Sequence, residues 1–457
     1  MTRTPRTPRS TIVAGLSRGL RLTTGIAACL VLAGCGIADW FDSEDNGPRL
    51  AGNRISVLQL EQQLETDPQL QGQPVQLPEP VANADWTQPG GNATHNPGHL
   101  ALPATVREVW RAGIEGNQTE ARLLTTPVVA EGRVYVLDTD FDLHAFDAAS
   151  GARIWRVSVQ REGQDDTALG GGVSFGEGRL FVTTGFGETI AVNPANGEVI
   201  WRQRIAAPIR TAPVVSGGRV FVTTLDNQMI VLAAENRVLQ WTHSGILEAT
   251  ALLGGAAGAV ENDVVVAPYS SGELFALRVE NGRPAWSDNL AAVRRGANLS
   301  GLADIRGMPV IDNGLVFAVS HSGRMAAIDL RTGQRVWEQD VGGIQTPWVA
   351  GNWIFAVTND AQLVAMTRDA GRVRWITQLE RYEDPEDRDD PVTWSGPVLA
   401  GGRLVLVSDK GEMIEVSPET GEISSRRELP DGSSLPPVVA GGTLYVLTDD
   451  GDLVAYR

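Results

Sequence analysis

Residues with the chemistry for catalysis or metal binding are few in this chain, and they are scattered. Asp138-Thr139-Asp140-Phe141-Asp142 has the alternating carboxylates that open a Ca²⁺-binding loop. Such a loop needs glycine at its sixth position and a bidentate glutamate at its twelfth. No glycine follows here, and Ala149 stands where the glutamate belongs, so a hairpin turn is the better reading. His95 and His99 have the i, i+4 spacing of a helical metal pair, but Pro97 lies between them and no carboxylate sits at a third-ligand spacing. They read as a satisfied surface pair. His144, His243 and His321 fall in separate segments with no serine or cysteine nucleophile marked beside them, and they read as structural or surface residues. The two cysteines, Cys29 and Cys35, both lie near the start, and the Cys-x-x-Cys-His haem motif does not occur. The rest of the chain therefore offers no disulfide framework and no thiolate metal site.

The elements that must position these residues repeat. Thr346 to Trp375 contains a short apolar run at Pro347–Ala350, a second at Trp353–Thr358 behind a Gly-Asn turn, and a third at Gln362–Met366 behind Asn-Asp. It closes with Gly371 and, four residues on, Trp375. Each run is about a strand long and is bounded by turn formers. The same pattern runs from Pro127 to Trp155, Gly172 to Trp201, Pro213 to Trp241, Gly258 to Trp286 and Pro309 to Trp337. A copy from Pro397 has Ser425 where tryptophan is expected, and the last, Pro437 to Arg457, stops after its third strand. A period of roughly 40–50 residues is that of propeller blades built from four antiparallel strands. The recurrent tryptophans, Trp155, Trp201, Trp241, Trp286, Trp337 and Trp375, are expected to pack between blades. Val106–Ala112 reads as a detached outer strand carrying Trp110, which would complete the last copy. The prediction is an all-β, eight-bladed propeller over 104–457, closed by joining an N-terminal outer strand to the C-terminal blade. An open solenoid would leave two raw edges.

The chain has 457 residues, 42% of them hydrophobic, and a net charge of −17. Its first 34 residues carry five arginines and no acid, so a chain starting at Cys35 would be more acidic still. Such a surface disfavours nucleic acid and anionic lipid. Arg3, Arg6, Arg9, Arg18 and Arg21 precede an apolar run, Ile26–Ala33, too short to be a comfortable permanent span. Residues 1–34 therefore read as a signal peptide. The run ends in Leu32-Ala33-Gly34-Cys35, which resembles the lipobox of bacterial lipoproteins. The resemblance implies cleavage before Cys35, a diacylglyceryl thioether on its sulfur and acylation of the new terminus. Several acyl chains make a stable anchor. Gly36 rather than aspartate after the cysteine favours the outer membrane. Residues 35–103 read as a largely extended tether, with a short helix over Ile55–Leu64 and with Trp86–Leu100 lying against the folded body.

The copies resemble the pyrroloquinoline-quinone-type propeller repeat, best in Ile328-Asp329-Leu330-Arg331-Thr332-Gly333-Gln334-Arg335-Val336-Trp337. Two families share it: quinone-dependent alcohol dehydrogenases and the BamB lipoproteins of the outer-membrane β-barrel assembly machinery. Lipobox, tether, the Trp86-x-x-x-Gly90-Gly91 entry and eight copies resemble BamB over nearly the whole chain. That resemblance implies a scaffold without cofactor or catalytic residue, lipid-anchored on the periplasmic face of the outer membrane. It would bind POTRA domains of the central barrel protein, beside other assembly lipoproteins. The family's contacts map to two inter-blade loops, near Thr250–Leu253 and Leu302–Arg306. Leu252 and Asp304 fit the family pattern, whereas Leu253 replaces a basic residue and Arg306 an acid. The dehydrogenase reading would need a Ca²⁺ site, a carboxylate base and the adjacent cysteines of those enzymes. The acidic run Glu383–Asp390 reads as a solvated loop that could meet a basic partner patch, and outer-strand edges could pair with nascent barrel proteins.

Overall fold

The structure is a computed structural model that describes residues 64–114, 125–161, 169–248, 250–291 and 302–457. Cys35, the leader and the helix expected from Ile55 lie outside the described residues. Among the described residues, regular structure is strand apart from one 3₁₀ turn at Pro68–Leu70. The strands form eight antiparallel four-stranded sheets, the blades of a propeller. Blade 1 comprises Val128–Ala130, Arg133–Leu137, Asp142–Asp147 and Arg153–Ser158, from axis to rim. Blades 2 to 7 repeat this order at the predicted positions.

Burial follows from the stacking. The second strands are sandwiched between neighbouring blades, so Trp353–Val357 is buried at every residue and reads as a continuous apolar run. The rim strand Arg153–Ser158 alternates half-buried and exposed residues, as a strand with one covered face should. The turns from first to second strand require positive φ at both central residues. Gly217 and Gly218, at 56° and 72°, meet that need without a Cβ penalty.

The eighth blade joins the two ends of the chain. Its inner strands are Val438–Ala440, Thr443–Leu447 and Asp452–Tyr456, and its rim strand is Glu108–Gly113. Glu108 faces Tyr456 and Gly113 faces Asp452. Closure removes the edges that an open array would expose.

The tryptophans fasten seven of the eight blades to the next. Trp337 is 9% exposed, and its Nε1 donates to the Arg368 carbonyl of blade 6 at 2.9 Å. A Cβ at Gly371, in the turn beyond that carbonyl, would lie 2.7 Å from the indole, so glycine lets the ring seat. Trp110, Trp155, Trp201, Trp241, Trp286 and Trp375 donate in the same way to Ala148, Pro194, Ala234, Val279, Leu330 and Pro418. Ser425 has a physical explanation. The last two strands of blade 8 come from opposite chain ends, so no turn exists there to receive a tryptophan. Arg427 fills that junction instead, reaching the Val106 carbonyl at 2.7 Å and lying over the Tyr456 ring.

The segment 64–103 is packed on the propeller at many points. Leu70 is 2% exposed, and Asp67 donates its N–H to the Val373 carbonyl on the rim of blade 6. Residues 81–102 then wind around the axis and bond to the innermost strand or its turn in each blade. The Asn83 side chain donates to Val439 of blade 8. Trp86 exchanges both backbone bonds with Val129 of blade 1, at 2.7 and 2.9 Å. The Thr87 carbonyl accepts from Phe175 of blade 2. The Gln88 amide both donates to and accepts from the Val215 backbone of blade 3, at 3.0 and 2.8 Å. Ala93 and Thr94 accept from Val260 of blade 4 and Ile311 of blade 5. Gly98 accepts from Trp348 Nε1 of blade 6, and Leu100 bonds to Leu399 and Gly401 of blade 7. The innermost strands otherwise present bare edges to the axis, and this segment satisfies part of them.

His95 and His99 belong to this segment and are buried rather than on the surface, at 3% and 6% exposure. Their Nδ1 atoms bond to the carbonyls of Pro309 and Pro78, and His99 Nε2 accepts from Gly402 N–H. The acidic run is not a plain loop. Tyr382–Asp384 and Asp389–Pro391 pair as a small exposed ribbon.

Candidate functional site: the inter-blade face and the axial funnel

Antiparallel strands put the first and third turns of every blade on one face of the ring. The second turn and the connection to the next blade lie on the other. Both loops singled out in the sequence are inter-blade connections, so they share a face. The axial segment contacts first turns, as where Asp85 accepts from Glu131 N–H, and so approaches from the opposite face.

The two loops are bonded to each other. Asp304 Oδ2 accepts from Leu252 N–H at 2.8 Å, and Arg306 Nε donates to the Leu253 carbonyl at 2.7 Å. Asp304 is 5% exposed, and its carbonyl accepts from His321 N–H. Burial pushes its carboxyl above the ordinary range, opposed by the Leu252 N–H and by the charge of Arg306. Burial lowers the Arg306 guanidinium, which stays a cation because its ordinary value is so high. Leu252 is half-buried, while Leu253 is 39% exposed. Asp304 is thus directed into the loop junction, and Leu253 and Arg306 reach solvent. Sequence reading did not single out Ile246 and Leu247 on the same connection, which are 57% and 70% exposed. Two adjacent aliphatics in a segment between strands were the available signal.

Arg306 also lines a cavity of about 110 Å³ on the propeller axis. Trp86, Gly90 and His95 of the axial segment close one end. The inter-blade connections, with Thr211, Gly254, Gly255, Thr346 and Ser434, line the other. The wall is apolar and hydroxyl-bearing and includes no carboxylate side chain among the described residues. A quinone dehydrogenase would need carboxylates there to hold its metal ion and to serve as base. Among the described residues there is no grouping of three or more His, Cys, Asp or Glu side chains able to hold a metal.

The remaining chemistry-bearing residues are structural. Asp138 Oδ1 accepts from the N–H groups of Asp140 and Asp142, and Oδ2 bonds to buried His144 at 2.8 Å. That is a hairpin turn braced by a side chain. His243 bonds to the Tyr269 hydroxyl.

Comparison with known proteins fits this architecture. The outer membrane protein assembly factor BamB of Escherichia coli K12 is 28% identical over 307 residues, which cover 66% of this chain and 76% of that protein. The crystal structure of BamB from Moraxella catarrhalis covers 78% of this chain and 98% of its own, with TM-score 0.62 and 18% identity. The quinohemoprotein alcohol dehydrogenase of Comamonas testosteroni gives the same TM-score of 0.62 at 14% identity, covering 82% of this chain and 80% of its own, so fold similarity alone does not separate the two families. The family model described as outer membrane protein assembly factor BamB matches residues 94–165, 139–377 and 381–457, and by that match the chain belongs to the BamB family.

Proposed function

We propose that this protein is a non-enzymatic scaffold of the outer-membrane protein assembly machinery. It is anchored through lipid on Cys35 at the periplasmic face of the outer membrane. It docks on POTRA domains of the central barrel protein, beside other assembly lipoproteins, and so assists insertion of β-barrel proteins. The observation that carries the reading is the junction of the two inter-blade connections, Leu252 to Asp304 and Leu253 to Arg306, beside exposed apolar residues on one face. A pair of loops bonded to each other and presenting apolar surface and an arginine suits protein docking. Among the described residues the axial wall carries no carboxylate side chain, which supports a scaffold over a dehydrogenase.

The test is an affinity pull-down from gently solubilised membranes with the lipidated protein and a Cys35→Ser control, the eluate read by mass spectrometry. A POTRA-bearing barrel protein and assembly lipoproteins are the expected partners. Their absence, with quinone-dependent alcohol oxidation in the eluate, would overturn the reading.

A further inference from the structure

We propose that Arg306 is the receptor for a partner carboxylate, and that the docked segment is acidic and apolar. This rests on the docking face proposed above and states the chemistry of what binds there.

Arg133, Arg179, Arg237 and Arg427 also bond to carbonyls without an ion pair among the described residues, but each spends a terminal nitrogen, whereas Arg306 bonds through Nε. Asp and Glu outnumber Lys and Arg by 55 to 38, so acids to pair with are plentiful. Among the described residues, however, its guanidinium bonds to a neutral carbonyl and forms no ion pair. The nearby acid, Asp304, is turned inward onto Leu252 N–H and is 5% exposed. Glu248, the exposed acid on the adjoining connection, makes no ion pair with Arg306 among the described residues.

The guanidinium is held in place. A Cβ at Gly254 would stand 3.1 Å from both Nε and Nη2, and the residue has φ +96°, so glycine gives the fork its seat. Fixing one edge through Nε leaves the terminal nitrogens free to meet a carboxylate. The surroundings favour apolar contact. Ile246, Leu247 and Leu253 lie exposed on the adjoining connection, and Met308 and Ile344 line the funnel that Arg306 borders. A seated arginine flanked by apolar side chains, here Leu253, Met308 and Ile344, has the usual make-up of an interface anchor.

The occupant that fits is an extended protein segment with one aspartate or glutamate flanked by aliphatic or aromatic residues. Its carboxylate meets Arg306 at the funnel mouth, and its apolar neighbours cover Leu247 and Leu253.

The full chain is titrated with a purified POTRA-domain fragment of the same organism's barrel assembly protein. It is also titrated with two short synthetic peptides, one alternating Leu and Glu, the other Leu and Lys. Variants are Arg306→Glu, Arg306→Gln and Leu247→Ser, each checked for an unchanged melting profile. The Gln variant and the exposed Leu247 keep the test valid if the Glu variant fails to fold. The expected result is POTRA binding that weakens about tenfold or more in Arg306→Glu, less in Arg306→Gln, with a difference that shrinks as salt rises. Equal POTRA binding by wild type and both Arg306 variants overturns the inference and leaves the docking reading standing. If the fragment binds none of them, the docking reading fails and the peptides decide. Binding of the Leu/Glu peptide to wild type but not to the Arg306 variants keeps the carboxylate site. Equal behaviour of the two peptides removes it.

Discussion

A single indole carries much of every blade junction except that between blades 7 and 8, because it supplies apolar area and one bond to a carbonyl on the next blade. Its position was legible from spacing, since a tryptophan four residues after a turn glycine recurs down the chain. What spacing did not reveal was the receiving side, the glycine of the following blade, or why one copy lacks its tryptophan. Trp337→Ala removes a 9%-exposed indole and its bond to Arg368, and should cost about 3–5 kcal/mol in denaturant titration. Ser425→Trp should give no compensating gain, since blade 8 has no turn to hold the ring. A stabilised Ser425→Trp would refute that account. Asp304 marks the limit of sequence reading. Whether a loop carboxylate faces a partner or its own backbone depends on irregular dihedrals that no periodicity encodes.

The axial segment is the element least legible beforehand. Its aromatic and glycine-rich stretch was expected to touch the body. Its eight successive attachments were not foreseeable, because the segment has no repeat of its own and borrows its order from the ring. It also contains the protein's clearest acid-sensitive group. Burial holds His95 neutral down to about 4, against an ordinary 6.5, with the Pro309 carbonyl opposing in part. The unfolded chain takes up this proton below pH 6.5 and the folded chain does not. The unfolded state then binds more protons, and stability falls as pH drops from about 6.5 to 4. The slope from this group should approach about 1.4 kcal/mol per pH unit. His95→Asn keeps a residue tolerant of φ +57° and removes the titration. Denaturant midpoints from pH 4 to 7 should flatten for the variant, and an unchanged slope would exclude His95 as the source.

For the whole molecule, the ring and its closure followed from one incomplete copy and one spare strand, and the structure joins them as expected. Closure makes stability collective. Truncation before Asp452 removes the partner of Glu108–Gly113 and exposes the edge of Thr443–Leu447. Such a chain should lose its single sharp melting transition and self-associate on size exclusion, whereas an unaffected monomer would show that the ring does not depend on the join. The axial segment acts on the same scale. A pull applied at its N-terminal side reaches first the rim of blade 6, where Asp67 meets Val373, and then a coil tied to every blade in turn. Tension on such a line meets the blade 6 attachment first and then the axial attachments in chain order. A chain pulled from that side must break these attachments one after another before the load reaches an inter-blade joint.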